Sequence, residues 1–163
     1  MILQEKDTIC AISTPAGVGG VAIVRVSGPD AISIADSVLS MSKPLAEKKA
    51  NTVSFGRLVK KDEILDEVLV SIFRAPHSFT GEDVVEIAVH GSVFIQREAI
   101  KLLLAAGCRM ADHGEFTKRA FMNGKMDLSQ AEAVADVIAS RSAAAHKVAV
   151  SQMRGGFSRK LQL

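Results

Sequence analysis

The chain has 163 residues, of which 48% are hydrophobic and 23% charged, a balance that supports a packed core and excludes a disordered chain. Aromatic residues make up only 4%, with no Trp or Tyr, so the core is expected to be aliphatic and no stacking platform for single-stranded nucleic acid is supplied. The net charge of +2 is unevenly placed: Arg141, Lys147, Arg154, Arg159 and Lys160 carry the end of the chain without an acid among them.

The first ten residues lack the basic start and apolar run of a signal peptide. No apolar run reaches the ~20 residues of a membrane span, so the expected address is cytoplasmic. Residues 8–13 (TICAIS) read as a short buried strand closed by Thr14-Pro15. The Gly17-Val18-Gly19-Gly20 loop leads into a second strand at 21–26. Its spacing fails the dinucleotide fingerprint at Ala22, and no Gly-Lys-Ser/Thr follows, so it reads as a hairpin-like connection. Ser27-Gly28-Pro29-Asp30 opens a helix to about Ser40, with Ile32, Ala35, Val38 and Leu39 on one face.

Residues 43–50 are a Lys-rich loop. Residues 51–59 and 64–73 read as paired strands joined by Lys60-Lys61-Asp62-Glu63. A loop at 74–82, broken by Pro76 and Gly81, precedes a strand at 83–90. Gly91-Ser92 then opens a helix with Ile95, Ala99, Leu102, Leu103 and Ala106 inward and Gly107 as its stop. A last short strand covers 108–111. Cys10 and Cys108 sit in strand-like runs and read as reduced core thiols. The order β-β-α-β-β-β-α-β predicts an α+β fold, a mostly antiparallel sheet with two helices covering one face.

Residues 114–138, GEFTKRAFMNGKMDLSQAEAVADVI, change the character of the chain. The start predicts a short helix to Gly124 with Phe116, Ala120 and Phe121 inward. Asp127 to Ser129 then cap a longer one, with Ser129-Gln130-Ala131-Glu132 fitting the capping box. Its stripe of Ala131, Val134, Ala135, Ile138, Ser142, Ala145 and Ala149 suits close helix packing along ~40 Å. Such a helix is marginal alone, and nothing downstream offers it a partner, so the chain reads as a piece of something longer. Glu115, Lys118, Arg119, Asn123 and Asp127 read as caps and ion pairs.

Two charges interrupt strands that are otherwise apolar. Arg25 shares a strand face with Val21 and Ile23; Glu86 shares one with Val84 and Ala88, and His90 follows on that side. A buried lone charge is costly, so each needs a partner. Either the two pair across the sheet, or both face a pocket. In a pocket, a carboxylate can accept two parallel bonds from an amidine-like edge, and an arginine can grip a carboxylate or phosphate. Lys125, beside Gly124, could add a second positive group. His77, His90 and His113 are scattered without metal-ligand spacing. No nucleophile with its base stands out, so neither a catalytic nor a metal residue is assigned.

Three stretches, TICAISTPAGVGGVAIVRVSG (8–28), SFTGEDVVEIAVHG (78–91) and the 114–138 run, closely resemble the N-terminal region of the tRNA modification GTPase family MnmE, also called TrmE. The resemblance covers nearly the whole chain and is weakest between Lys43 and Asp66. His113 departs from the Pro that family members commonly carry there, which bears only on the local turn.

The resemblance implies an α+β domain at 1–118, similar to the tetrahydrofolate-binding domain of aminomethyltransferases, and the start of a helical domain at 119–163. It implies a homodimer formed through the first domain, and binding of 5-formyl-tetrahydrofolate or a related one-carbon folate near the dimer interface. Arg25, Glu86 and Lys125 fall on the family's folate contacts, with Glu86 on the pterin edge. In the full-length family members GTP hydrolysis, assisted by Mg and K, accompanies modification of the tRNA wobble uridine at carbon 5 with the flavoprotein partner MnmG (GidA). These 163 residues match none of the GTPase domain, so the chain alone is expected to be inactive. Two other readings stand beside this one: a structural dimerisation or docking module without ligand, and an RNA-contacting module using the basic C-terminal helix.

Overall fold

A computed structural model of the chain describes residues 7–139 and 143–154. Its contacts divide into two units, Met1–His113 and Gly114–Leu163. The first is built on seven strands: β1 (Ile9–Ile12), β2 (Val21–Ser27), β3 (Leu39–Ser40), β4 (Thr52–Lys60), β5 (Glu63–Phe73), β6 (Val84–His90) and β7 (Arg109–Met110). They form one sheet in the order β3-β4-β5-β6-β2-β1-β7, antiparallel throughout except for β1 against β7. The α+β expectation holds at this level.

Alternation decides which face is covered. Ala22, Val24 and Val26 of β2, Val68, Val70 and Ile72 of β5, and Val85, Ile87 and Val89 of β6 are buried on one side. Helices α1 (Ala31–Val38) and α2 (Val93–Ala105) close over that side, with Ala31, Ile32, Ile34, Ala35 and Val38 from α1 and Ala99 and Leu103 from α2 joining the same core. Each fully buried aliphatic side chain contributes about 1.5–3 kcal/mol relative to exposure. The core is aliphatic, as the missing Trp and Tyr require.

The loops follow from local chemistry. Lys61 and Asp62 link β4 to β5 with φ of 47° and 66°, the paired positive values that a two-residue type I′ hairpin needs. The glycine loop before β2 joins antiparallel neighbours, as expected of a hairpin-like connection. Ser92 caps α2, its Oγ accepting from Ile95 N at 3.1 Å. The 43–50 stretch is more ordered than its composition suggests. The Asp36 carboxylate accepts from Leu45 N (2.6 Å) and Ala46 N (3.2 Å), shaping a 3-10 turn at Leu45–Glu47. Arg74 Nη2 donates to the carbonyls of Ala46 (3.0 Å) and Lys48 (2.9 Å), and Leu45 is fully buried. Helix α1 ends earlier than its pattern implied, because Leu39 and Ser40 pair with Leu58 and Arg57 of β4 instead.

Cys10 and Cys108 are free and buried. The hydrogen bond between the two thiols, with burial, pushes Cys108 up, and the same bond draws Cys10 down against its own burial. Both fit the expected reading as reduced core thiols, because they are free and buried in the sheet's core.

The second unit holds α3 (Glu115–Met122), α4 (Leu128–Ala139) and α5 (Ala143–Met153). Three expectations need correction here. The single long helix is two: Gln130 Nε2 donates to Met153 O at 2.9 Å. A continuous helix would hold those residues ~35 Å apart. So α5 folds back along α4 and is the partner helix thought to be missing; Ala133 and Ala149 are buried. The capping box lies two residues earlier than expected. Gln130 N donates to Asp127 Oδ1 (2.8 Å), while Asp127 N donates to Gln130 Oε1 (2.9 Å), so Asp-x-x-Gln satisfies both ends. In α3 Phe121 is exposed, and the buried positions are Glu115, Arg119 and Ala120. Arg119 Nη2 and Glu115 Oε2 pair one turn apart at 3.2 Å, which removes both charges from isolation.

Asp127→Ala is expected to lower stability by about 1 kcal/mol, the usual cost of losing a helix cap. Urea unfolding followed by circular dichroism measures it, and an unshifted midpoint means that the cap is idle. Of the stripe residues, Ser142 and the side chains of Ala135, Ile138 and Ala145 lie outside what is described. So do Arg141, Arg159 and Lys160 of the basic tail; Lys147 and Arg154 are exposed.

Candidate ligand site on the open sheet face

Helices α1 and α2 both pack on one face of the first unit's sheet and leave its second face uncovered by either. Register places Ala11, Arg25, Glu86, Ser71 and Val53 side by side on one rung across β1, β2, β6, β5 and β4. The neighbouring rung carries Ile23, Ala88, Leu69 and Phe55. Val21, Val53, Phe55 and Leu69 are exposed on this face.

Arg25 and Glu86, 61 positions apart in sequence, are direct cross-strand partners. Arg25 Nε donates to Glu86 Oε2 at 2.9 Å, and the side chains are 22% and 27% exposed. Of the two alternatives, pairing across the sheet is what the geometry shows, at a surface that solvent reaches. A pair this exposed contributes no more than about 1 kcal/mol to stability. Glu86 Oε1 makes no hydrogen bond among the described residues.

Phe79 lies over Arg25, with the guanidinium carbon 5.2 Å from the ring centroid, a cation–π contact. The loop that carries it is tied down by a hydroxyl network. Ser27, one rung from Arg25 on the same face of β2, is fully buried and donates to Glu82 Oε1 at 2.9 Å. Its Oγ also shares a 2.8 Å bond with Thr80 Oγ1, and Thr80 is fully buried. Ala75 N donates to Asp83 Oδ1 at 2.8 Å, and Gly28 N donates to Asp83 O at 3.0 Å, closing the loop against the sheet. Sequence reasoning missed this network and Phe79. A polar Ser27 on the Arg25 face, followed much later by the Ser-Phe-Thr-Gly-Glu run, was the available signal.

Lys125 belongs to the second unit, just after α3, where it is exposed and its N donates to Ala120 O at 2.8 Å. At the far end of β6, His90 Nδ1 and Asp66 Oδ1 are 2.7 Å apart and His90 N donates to Asp66 Oδ2 at 2.8 Å. Asp66 is buried, so His90 serves as its structural partner. A separate cleft of about 560 Å³ opens along the β4 edge between Ser40, Met41, Lys48, Phe55 and Arg57, away from Arg25 and Glu86. Among the described residues no group of three His, Cys, Asp or Glu could hold a metal ion. No described helix is long and apolar enough to cross a membrane.

Comparison with known proteins bears on this arrangement. The family model described as the GTP-binding protein TrmE N-terminus matches residues 8–125. A tRNA modification GTPase MnmE of Parabacteroides distasonis is 60% identical over 159 residues, 95% of this chain and 34% of the relative. The protein of that name from Bacteroides thetaiotaomicron is 58% identical over 161 residues, 97% of this chain and 34% of its own length. The one from Flavobacterium johnsoniae is 54% identical over 159 residues, covering 96% and 34%. The chain thus spans about a third of the length of these relatives, and with its matched core of residues 8–125 it belongs to the TrmE (MnmE) N-terminal family.

Proposed function

We propose that this chain is the part of a tRNA wobble-uridine modification GTPase that binds a one-carbon tetrahydrofolate of the 5-formyl type and joins two copies of the protein. The observation that carries the folate reading is the Arg25–Glu86 pair on the open sheet face, with Glu86 Oε1 still able to accept. A pterin presents an amidine-like donor edge, and a carboxylate takes such an edge through two parallel bonds. Arg25 then balances the carboxylate and grips an anionic or carbonyl oxygen of the ligand. Lys125 is proposed as a third contact on the resemblance alone. Titration calorimetry with 5-formyl-tetrahydrofolate tests the reading, and a wild-type chain giving no binding heat defeats it.

Dimerisation is supported by the exposed apolar residues of the same face, Val21, Val53, Phe55 and Leu69, which monomers seldom leave contiguous. Leu69→Asp is expected to convert a dimer to a monomer, because an unpaired charge is driven into the contact. Light scattering at matched concentration reads the mass; an unchanged dimer places the contact elsewhere. Hydrolysis of GTP with Mg and K, the partner MnmG, tRNA as substrate and a cytoplasmic address are proposed for the whole protein, in keeping with the relatives' name.

One other reading has an observation of its own. The direct 2.9 Å bond between Arg25 and Glu86 suits a purely structural module in which the pair only fixes strand register. That reading predicts indifference to folate together with an intact dimer.

A further inference from the structure

Phe79 is out of keeping with its surroundings. In a chain with few aromatic residues, this ring sits 40% exposed beside the cross-strand Arg25–Glu86 ion pair. It is held there by the bonds among Ser27, Thr80 and Glu82, two of whose residues are fully buried. A fully satisfied buried network of this kind fixes a single loop geometry. One result is that the Arg25 guanidinium, bonded through Nε to Glu86, is also held against the ring. Another is that part of the ring stays open to solvent beside the Arg25 side of the ion pair.

We infer that Phe79 is a further binding and specificity residue of the site, forming an aromatic wall for the planar ring of the ligand and fixing the orientation of Arg25. This rests on the folate reading above. The carboxylate of Glu86 recognises the edge of a flat heterocycle, and an edge contact alone leaves both faces of that heterocycle in water. An aromatic side chain beside the Arg25 partner of that carboxylate removes one face from water at little conformational cost, because it has two rotatable bonds and its loop is already tethered. Held against the ring, Arg25 also loses less freedom when it grips the ligand. The site therefore selects planar nitrogen heterocycles that carry a donor edge over flexible anions such as free glutamate.

The test uses the 163-residue chain with its phenylalanine rings isotopically labelled. Calorimetry follows 5-formyl-tetrahydrofolate binding to wild type, Phe79→Ala, Phe79→Leu and Glu86→Ala. Phe79→Ala is expected to weaken binding about tenfold, with Phe79→Leu falling between it and wild type. Magnetisation transfer between the Phe79 ring protons and the bound ligand is expected, a signal that a merely structural residue would not give. Circular dichroism is expected to match wild type, since the ring is partly exposed. If Glu86→Ala loses binding while Phe79→Ala stays within about twofold of wild type and no transfer is seen, the folate reading stands and the role of Phe79 is overturned. If wild type itself does not bind, both fall together.

Discussion

Glu86→Ala is expected to weaken 5-formyl-tetrahydrofolate binding by about a hundredfold or more, while leaving the fold intact. The two halves of that expectation have different physical sources. Removing a carboxylate that accepts from a cationic partner and from a ligand edge costs roughly 2–5 kcal/mol of binding, and each 1.4 kcal/mol is tenfold. The fold depends on it far less. The Arg25–Glu86 pair is about a quarter exposed on each side, so water takes over much of what Arg25 loses. The stability loss is expected to be about 1 kcal/mol or less. Glu86→Gln separates charge from shape: it retains the side-chain volume and one acceptor but cannot take both bonds of an amidine edge. Calorimetry on the two variants, with thermal unfolding alongside, checks both halves. A variant that unfolds early and still binds folate normally would reverse the assignment of Glu86 from ligand contact to structural pair.

Gly91→Ala is expected to destabilise the first unit more than any surface change, by about 3 kcal/mol, the upper range for forcing atoms into a filled space. A Cβ at this position would stand 2.2 Å from Gly19 O and 2.7 Å from Gly19 C, both backbone atoms. Nothing flexible is available to move aside. Gly19 N also donates to Gly91 O at 3.2 Å, and Gln96 Nε2 bonds Gly17 O (3.1 Å) and Gly91 O (3.0 Å), so the two segments are stitched together where the Cβ would enter. Displacing the glycine loop disturbs the entry to β2 and hence the rung that holds Arg25. The melting temperature should fall by about 10 °C on the usual scaling for a chain of this size. Gly20→Ala is the matched control, because a Cβ there meets nothing within 4 Å. Equal melting temperatures for the two variants would show that the loop can retreat from Gly91 at little cost.

Much of the first unit was legible because strand and helix periods are local properties. Residues 21–26 and 83–90 were legible as strands, and the helical spacing after Gly91-Ser92 named Ala99 and Leu103 as inward. What failed was where helices stop. Residues 128–153 keep a helical pattern throughout, and small residues such as Ala133 and Ala149 suit a close contact equally well with a foreign helix or with the chain's own return. Periodicity reports which face is apolar and is silent on what covers it. The capping box failed for a related reason: Asp127 and Ser129 both fit the motif, and only the bonds to Gln130 show that Asp127 supplies the cap.

The candidate site divides along the same line. Arg25 and Glu86 were visible in the sequence because a charge in an apolar strand is an energetic anomaly that needs an explanation, whatever its surroundings. That the two are one pair was decided by register between strands whose facing residues lie 61 positions apart, a long-range property that no local window contains. Phe79 and its hydroxyl network are further still from view, since a loop has no period and its contacts are set by the sheet it lands on. By itself the sequence determined the α+β class, the aliphatic core and the two charges that interrupt it, because those depend on composition and spacing. Only the tertiary structure decided that the charges meet on an open face beneath an aromatic ring, and that the last two helices pack on each other, because those depend on which distant segments are brought together.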